Sequence, residues 1–345
     1  MKSYTHGGDI FSYYNKYGKY PVDFSSSLNP YAENLNLKAT FINSYDKCFI
    51  YPPYDYKVLC EKLAEKENVK VENICLSNGA SEIIRFIPLV FESSKPLLLC
   101  PAFSEYEKSL KNKNILRYTL KEENNFLLDE LFLPHIKLSN IVFITNPDNP
   151  VGSVISYELM EKIAYECKKH ESLLVIDECF MDLAENNHSA VSLINKYDNI
   201  IIIKAFTKTY ALAGIRLGYC ISHKENINKL LEYLPEWRVS FPAYLCGIKA
   251  LEEKDFVKNS IEYINKEKEY LKKQLISFGF KIYGSKSNYI FFKSHIYNLK
   301  EELEQYGILI RDCSNYYGLS KGFYRVAVKN GSNNIMLIES IAKIL

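Results

Sequence analysis

Lys208 stands in AFTKTYALAGIRLGY (Ala205 to Tyr219), just past the apolar run NIIIIKAF (Asn199 to Phe206), with Arg216 the next cation along the chain. A lysine desolvated beside other cations gives up its proton more readily and presents a nucleophilic amine. Asp177 ends a second apolar run, LLVIDECF (Leu173 to Phe180), where an unpaired carboxylate is costly and calls for a cationic partner. In SNGASE (Ser77 to Glu82) the Gly79-Ala80-Ser81 turn opens a helix, whose free N–H groups and positive dipole end suit a phosphate. The hydroxyl of Thr207 and the forked guanidinium of Arg216 could complete a cage around a small dianion. No GxxxxGK[ST] stretch occurs and no GxGxxG follows a strand, so nucleoside triphosphates and dinucleotides lose ground as ligands.

An amine awaiting an aldehyde, a carboxylate awaiting a protonated ring nitrogen and a phosphate cradle are together what pyridoxal 5'-phosphate requires of a protein. Each feature has a plainer reading. A glycine after a strand is most often a turn residue, an aspartate at a strand end often satisfies local backbone donors, and a lysine there can simply reach solvent. What joins the features is their placement. SNGASE, NPDNPVG (Asn146 to Gly152), DECF and FTK each sit where a buried run ends, which is where open α/β sheets gather their ligands.

The elements that must hold these residues follow from the hydrophobic pattern. NICLSN (Asn73 to Asn78), PLLLC (Pro96 to Cys100), NIVFITNP (Asn140 to Pro147), LLVIDECF and NIIIIKAF read as strands buried on both faces. Between several lie helical patterns such as SYELMEKIAYECKKH (Ser156 to His170), an alternation that predicts an α/β fold with a mainly parallel sheet covered by helices. From Pro242 the character changes. A long charged helix, about Phe256 to Phe278, precedes an alternating strand SNYIFFKS (Ser287 to Ser294) and a hairpin-like GFYRVAV (Gly322 to Val328), which suggests a smaller α+β lobe. A chain of 345 residues exceeds the usual single core, in keeping with two lobes.

A net charge of +2 gives no electrostatic case for nucleic acid or an anionic membrane surface. No apolar run approaches the roughly 18 residues of a spanning helix, and MKSYTHGGDI is neither a signal peptide nor a transit segment. A soluble cytoplasmic protein is expected. The nine cysteines are scattered singly with no CxxC pair, so burial as small hydrophobes is expected rather than disulfides or a metal site.

Over nearly its whole length the chain resembles the fold-type I, class I/II aminotransferase family, and within it the branch of histidinol-phosphate aminotransferase and L-threonine-O-3-phosphate decarboxylase. The resemblance is carried by YPPYDYKVL at Tyr51, SNGASE, PAFSEYE at Pro101, TNPDNPVG at Thr145, VIDECF at Val175, FTKTYALAGIRLGY at Phe206 and RVAV at Arg325. HGGDI at His6, DFSSSLNPY at Asp23 and GILIRDCSNYYGL (Gly307 to Leu319) lean toward the decarboxylase. The resemblance implies a mainly parallel seven-stranded sheet covered by helices with a smaller C-terminal α+β domain. Its divisions would be an N-terminal arm over 1–40, a large cofactor-binding domain over 41–240 and a small domain over 241–345.

It also implies roles. Lys208 is the Schiff-base lysine and proton carrier, and Asp177 pairs with the ring nitrogen. Asn149 donates to the ring oxygen. Gly79, Ala80, Ser81, Thr207 and Arg216 hold the cofactor phosphate, and Phe103 stacks on the ring. Tyr51 reaches the phosphate of the neighbouring subunit's cofactor, which implies a homodimer with composite sites. Arg325 binds the substrate carboxylate, with Arg311, His6 and Asn29 around the substrate's own phosphate. Phe180, Ala205 and Val151 depart from the commoner tyrosine, serine and threonine, and Arg238 replaces a small polar residue, adding a second cation if it faces the pocket. The activity implied is decarboxylation of L-threonine O-3-phosphate to (R)-1-amino-2-propanol O-2-phosphate, a cobalamin-assembly step. The alternatives are a transaminase acting on histidinol phosphate or another amino acid with 2-oxoglutarate, and a non-catalytic binding protein.

Overall fold

A computed structural model describes residues 7–111, 113–185 and 188–345. Its larger sheet has seven strands in the order Ile74–Ser77, Gly218–Ser222, Ile200–Ala205, Leu173–Asp177, Ile141–Thr145, Pro96–Cys100, Leu116–Thr119. Gly218–Ser222 runs antiparallel to both neighbours, and the other pairings are parallel. The carboxyl ends at Ser77, Cys100, Thr145, Asp177 and Ala205 therefore share one edge. Every residue of Ile141–Thr145, Leu173–Asp177 and Ile200–Ala205 is buried, as the apolar runs require. Alternate residues feed two cores: Leu174, Ile176, Ile200 and Ile202 join one, and Leu173, Val175, Ile201 and Ile203 the other.

The second sheet is antiparallel, in the order Arg311–Asp312, Phe323–Ala327, Tyr289–Lys293, Lys281–Tyr283. Phe323–Ala327 is an inner strand: it forms a long hairpin with the preceding strand Arg311–Asp312 and pairs on its other side with Tyr289–Lys293. The alternation in Tyr289–Lys293 does not expose a face. Phe291 stacks on Phe323 at 5.4 Å on the side of the large lobe, while Ile290 and Phe292 face a separate core with Leu271 and Leu275 of the helix Phe256–Ser277.

The N-terminal segment is tied to this smaller lobe: Val22–Asp23 pairs in parallel with Ile308–Leu309, and Ala327 donates its N–H to the Phe24 carbonyl. For the boundary between lobes, expected at 240/241, we propose a position just after Glu252. The helix Phe241–Glu252 packs on Lys57–Glu67, and its Ala243, Cys246 and Ala250 belong to the large lobe's core. Of the nine cysteines, only Cys48 is exposed and Cys179 half-buried, which suits their role as small hydrophobes. Among the described residues no helix is long and apolar enough to cross a membrane.

Candidate active site

The shared strand edge borders a cavity of about 250 Å³, and the small lobe and the N-terminal segment close its far side through Arg311, Tyr316, Arg325, Gly7 and Ser25. Lys208 enters it from the one-turn helix Phe206–Thr209, which begins where the strand Ile200–Ala205 ends. Its ammonium lies 5.4 Å from the centre of the Phe180 ring. Burial first, and then the charge of Arg325, lower its pKa to about 8, so a neutral amine is accessible near physiological pH. Asn29 braces the turn from behind: its N–H donates to the Lys208 carbonyl at 3.2 Å and its side-chain Nδ2 to the Thr209 carbonyl at 2.7 Å.

Asp177 is 6% exposed at the end of its strand and has both carboxylate oxygens engaged. Tyr106 Oη donates to Oδ2 at 2.6 Å, and the Cys179 N–H donates to Oδ1 at 2.9 Å. Burial and the Asp177 charge together push the Tyr106 hydroxyl well above the ordinary tyrosine value, so it stays a donor. A carboxylate has about four lone-pair directions, so room remains for a further donor from the cavity.

Across the cavity the helix Ala80–Val90 begins at Gly79 with no side-chain cap, which leaves its first N–H groups for a ligand. Gly79 is required twice over. Its φ is +76°, and a Cβ there would lie 2.5 Å from Arg216 Nη2. Arg216 itself donates weakly to Ser81 Oγ at 3.4 Å. Ala80, Ser81, Thr207 and Arg216 thus gather at one end of the cavity, with Phe103 along its wall.

At the other end Arg325, 6% exposed, donates Nη1 to Asn149 Oδ1 and Nη2 to the Ser25 carbonyl. Among the described residues its buried Nε has no acceptor, and its two terminal nitrogens meet an amide and a backbone carbonyl instead of a carboxylate. Arg311 sits directly opposite Arg325 on the neighbouring strand.

Of the other expected site residues, Asn29 does not line the cavity, because Thr209, Ser260 and the Tyr31 N–H already occupy its side chain. Tyr51 is 74% exposed and lies tilted against Trp237, ring centres 4.5 Å apart, and does not line this chain's own cavity. Arg238 does not face the pocket; its Nε donates to the Leu76 carbonyl at 2.6 Å and its guanidinium lies 5.7 Å from the Tyr56 ring. His6 lies outside the described residues, next to Gly7, which packs against Ser25 so closely that a Cβ would lie 2.2 Å from the Ser25 carbonyl oxygen. Tyr106, Cys179, Ser25 and Tyr316 line the cavity without having been singled out. Tyr106 carried a signal: it falls one helical turn after Phe103, and a buried phenol needs a partner.

The family model for aminotransferase class I and II matches residues 19–341. A putative threonine-phosphate decarboxylase of Caldanaerobacter subterraneus is 33% identical, covering 99% of this chain and 94% of that protein. The adenosylcobalamin biosynthesis bifunctional protein CobDQ of Leptospira interrogans is 32% identical over 98% of this chain, which spans only 41% of that longer protein. Among solved structures, the histidinol-phosphate aminotransferase of Clostridium acetobutylicum is 29% identical, with a TM-score of 0.86 over 94% of this chain and 98% of that one.

Proposed function

The chain belongs to the aminotransferase class I and II family, whose cofactor is pyridoxal 5'-phosphate, and from that premise we propose that it decarboxylates L-threonine O-3-phosphate to (R)-1-amino-2-propanol O-2-phosphate. The residues fit the cofactor: an uncapped helix start beside Arg216, a buried carboxylate with a free lone pair, and a lysine whose pKa is about 8 meet in one cavity. When bound, the cofactor supplies an aldehyde for an amine and an electron-withdrawing ring that stabilises negative charge at the substrate's α-carbon.

The chain's own groups divide the remaining work. The N–H groups of Ala80 and Ser81, with Thr207 and Arg216, would hold the phosphate end. Asp177, its orientation fixed by Tyr106 and Cys179, would pair with the ring nitrogen. Asn149 has its oxygen committed to Arg325, so its amide nitrogen is the group left to donate toward the ring oxygen. Lys208 Nζ delivers the proton that replaces the lost carboxylate, a task suited to a group titrating near the working pH. Arg325 and Asn149 would hold the substrate carboxylate, and its placement decides whether carbon dioxide or a proton departs.

One observation carries the choice of substrate: Arg311 and Arg325 oppose each other across paired strands, line the same cavity, and meet no carboxylate among the described residues. Like charges placed this way repel, and a substrate with two anionic groups relieves that repulsion. Threonine phosphate brings a phosphate and a carboxylate, whereas histidinol phosphate brings only the phosphate. A transaminase remains the second reading, since the same pair would receive the two carboxylates of 2-oxoglutarate. The exposed aromatic surface at Tyr51 and Trp237 supports a two-fold dimer in which Tyr51 reaches the partner's cofactor phosphate; a purely monomeric active species in sedimentation would overturn it. The substrate assignment is tested by incubating the cofactor-loaded protein with 1-¹³C-labelled threonine phosphate and no oxo acid. Labelled bicarbonate is expected at many turnovers; its absence, with histidinol phosphate consumed when 2-oxoglutarate is added, would select the transaminase.

A further inference from the structure

Tyr316 lies half-buried in a turn closed by its own N–H to the Cys313 carbonyl and by the Leu319 N–H to its carbonyl, both 3.1 Å. Its hydroxyl donates at 3.2 Å to Asn149 Oδ1, the same oxygen that accepts from Arg325. Its ring lies under the Arg311 guanidinium, 5.0 Å from centre to carbon. The turn has its own anchors: Asn315 Oδ1 accepts from Arg311 Nη2 at 2.8 Å, and Arg117 lies 4.9 Å over the neighbouring Tyr317 ring. One side chain therefore serves both cationic arms of the cavity: its ring contacts Arg311, and its hydroxyl shares the Asn149 oxygen with Arg325.

We propose that Tyr316 is a positioning residue that fixes the substrate carboxylate relative to its phosphate, and thereby selects loss of carbon dioxide over loss of the α-proton. The proposal rests on the functional reading above. With two donors on its oxygen, the Asn149 amide cannot rotate without breaking both contacts, so Arg325 and Asn149 present one fixed geometry to a carboxylate. The ring meanwhile holds Arg311 by cation–π contact and sets the position of the phosphate. Without the hydroxyl, the Asn149 oxygen is held by Arg325 alone and the amide can turn about that one contact, while Arg325 keeps the Ser25 carbonyl. Misplacement by about 1 Å at a reacting group can lower a rate by roughly a hundredfold, which is ample to change which bond breaks.

Two variants separate the two contacts. Tyr316→Phe keeps the ring and removes the hydroxyl, and Tyr316→Leu removes both. For Tyr316→Phe with threonine phosphate, kcat for carbon dioxide release is expected to fall at least tenfold with KM within threefold. Turnovers that instead lose the α-proton, leaving the amino group on the cofactor and releasing the corresponding 2-oxo acid, should become at least fivefold more frequent per carbon dioxide. Calorimetry with 3-phosphooxybutanoate, which lacks the amino group and cannot react, should give a Kd within threefold of the parent for Tyr316→Phe and at least tenfold weaker for Tyr316→Leu. Thermal melts matching the parent chain exclude a folding defect. Parental kcat and partition in Tyr316→Phe, or unchanged analogue binding in Tyr316→Leu, would overturn the proposal. If the parent chain releases no carbon dioxide, the decarboxylase reading falls by itself, and the role of Tyr316 is judged on analogue binding alone.

Discussion

Removing the Tyr106 hydroxyl tests whether Asp177 is held as the cavity geometry requires. Tyr106→Phe deletes a 2.6 Å donor to Asp177 Oδ2 and a 3.0 Å contact with Thr145 Oγ1, both buried. A hydrogen bond to a charged group contributes ~1.5–3 kcal/mol, and the Thr145 hydroxyl can turn to another acceptor, so the expected loss is ~2 kcal/mol. In an Asp177→Asn background the acceptor is neutral, and the same deletion should cost only ~1 kcal/mol. The coupling of ~1 kcal/mol is measurable by urea unfolding of the cofactor-free protein at fixed concentration, in a four-member double-mutant cycle. Equal costs in both backgrounds would mean that the hydroxyl does not serve the carboxylate, and the account of how Asp177 is oriented would fail.

Other outcomes follow from single features. Lys208→Ala should abolish the visible absorption band of the cofactor-loaded protein, and the rate at which the parental apoprotein captures pyridoxal 5'-phosphate should rise with pH about a midpoint near 8, as the neutral amine grows. A midpoint near 10 would place the lysine in ordinary solvent. Gly79→Ala should weaken cofactor binding at least tenfold by equilibrium dialysis, because the new methyl displaces the Arg216 guanidinium now 2.5 Å from its position; parental affinity would remove Arg216 from the phosphate end. Asp148 is buried with only backbone donors, and burial raises its pKa to about 7. Between the unfolded value near 4 and about 7 the folded chain holds the extra proton, so stability falls as pH rises through that window and the penalty is complete above it. Asp148→Asn should therefore be more stable than the parent at pH 8 and lose that advantage toward pH 5 in denaturant titrations; a gap independent of pH would refute the buried-carboxylate argument.

The parallel core was legible because strands covered on both faces leave continuous apolar runs, as in IIIIKA and LLVID. Leu116–Thr119 was not, since a four-residue edge strand with half-exposed residues carries no such run. Gly218–Ser222 hid inside the lysine-bearing stretch, because nothing in its sequence announces that the glycine abuts the Ala80 N–H of a distant helix. The same division holds at the site. Lys208, Asp177 and Gly79 sit at strand ends and read locally. Asn29, Tyr106 and Tyr316 take their meaning from partners far along the chain, at Thr209, Asp177 and Asn149. Asn29 illustrates the error that follows: a polar residue beside the site was expected to face the substrate and instead braces the backbone of the lysine turn.

In the proposed reaction two opposed arginines direct a phosphorylated amino acid to lose its carboxylate over Lys208. Its most direct test is a single turnover of the cofactor-loaded protein with L-threonine O-3-phosphate, with and without 2-oxoglutarate, following carbon dioxide and the cofactor's absorption together. One carbon dioxide per site is expected without any oxo acid, followed by return of the starting spectrum. Conversion of the cofactor to its pyridoxamine form with no carbon dioxide would contradict it.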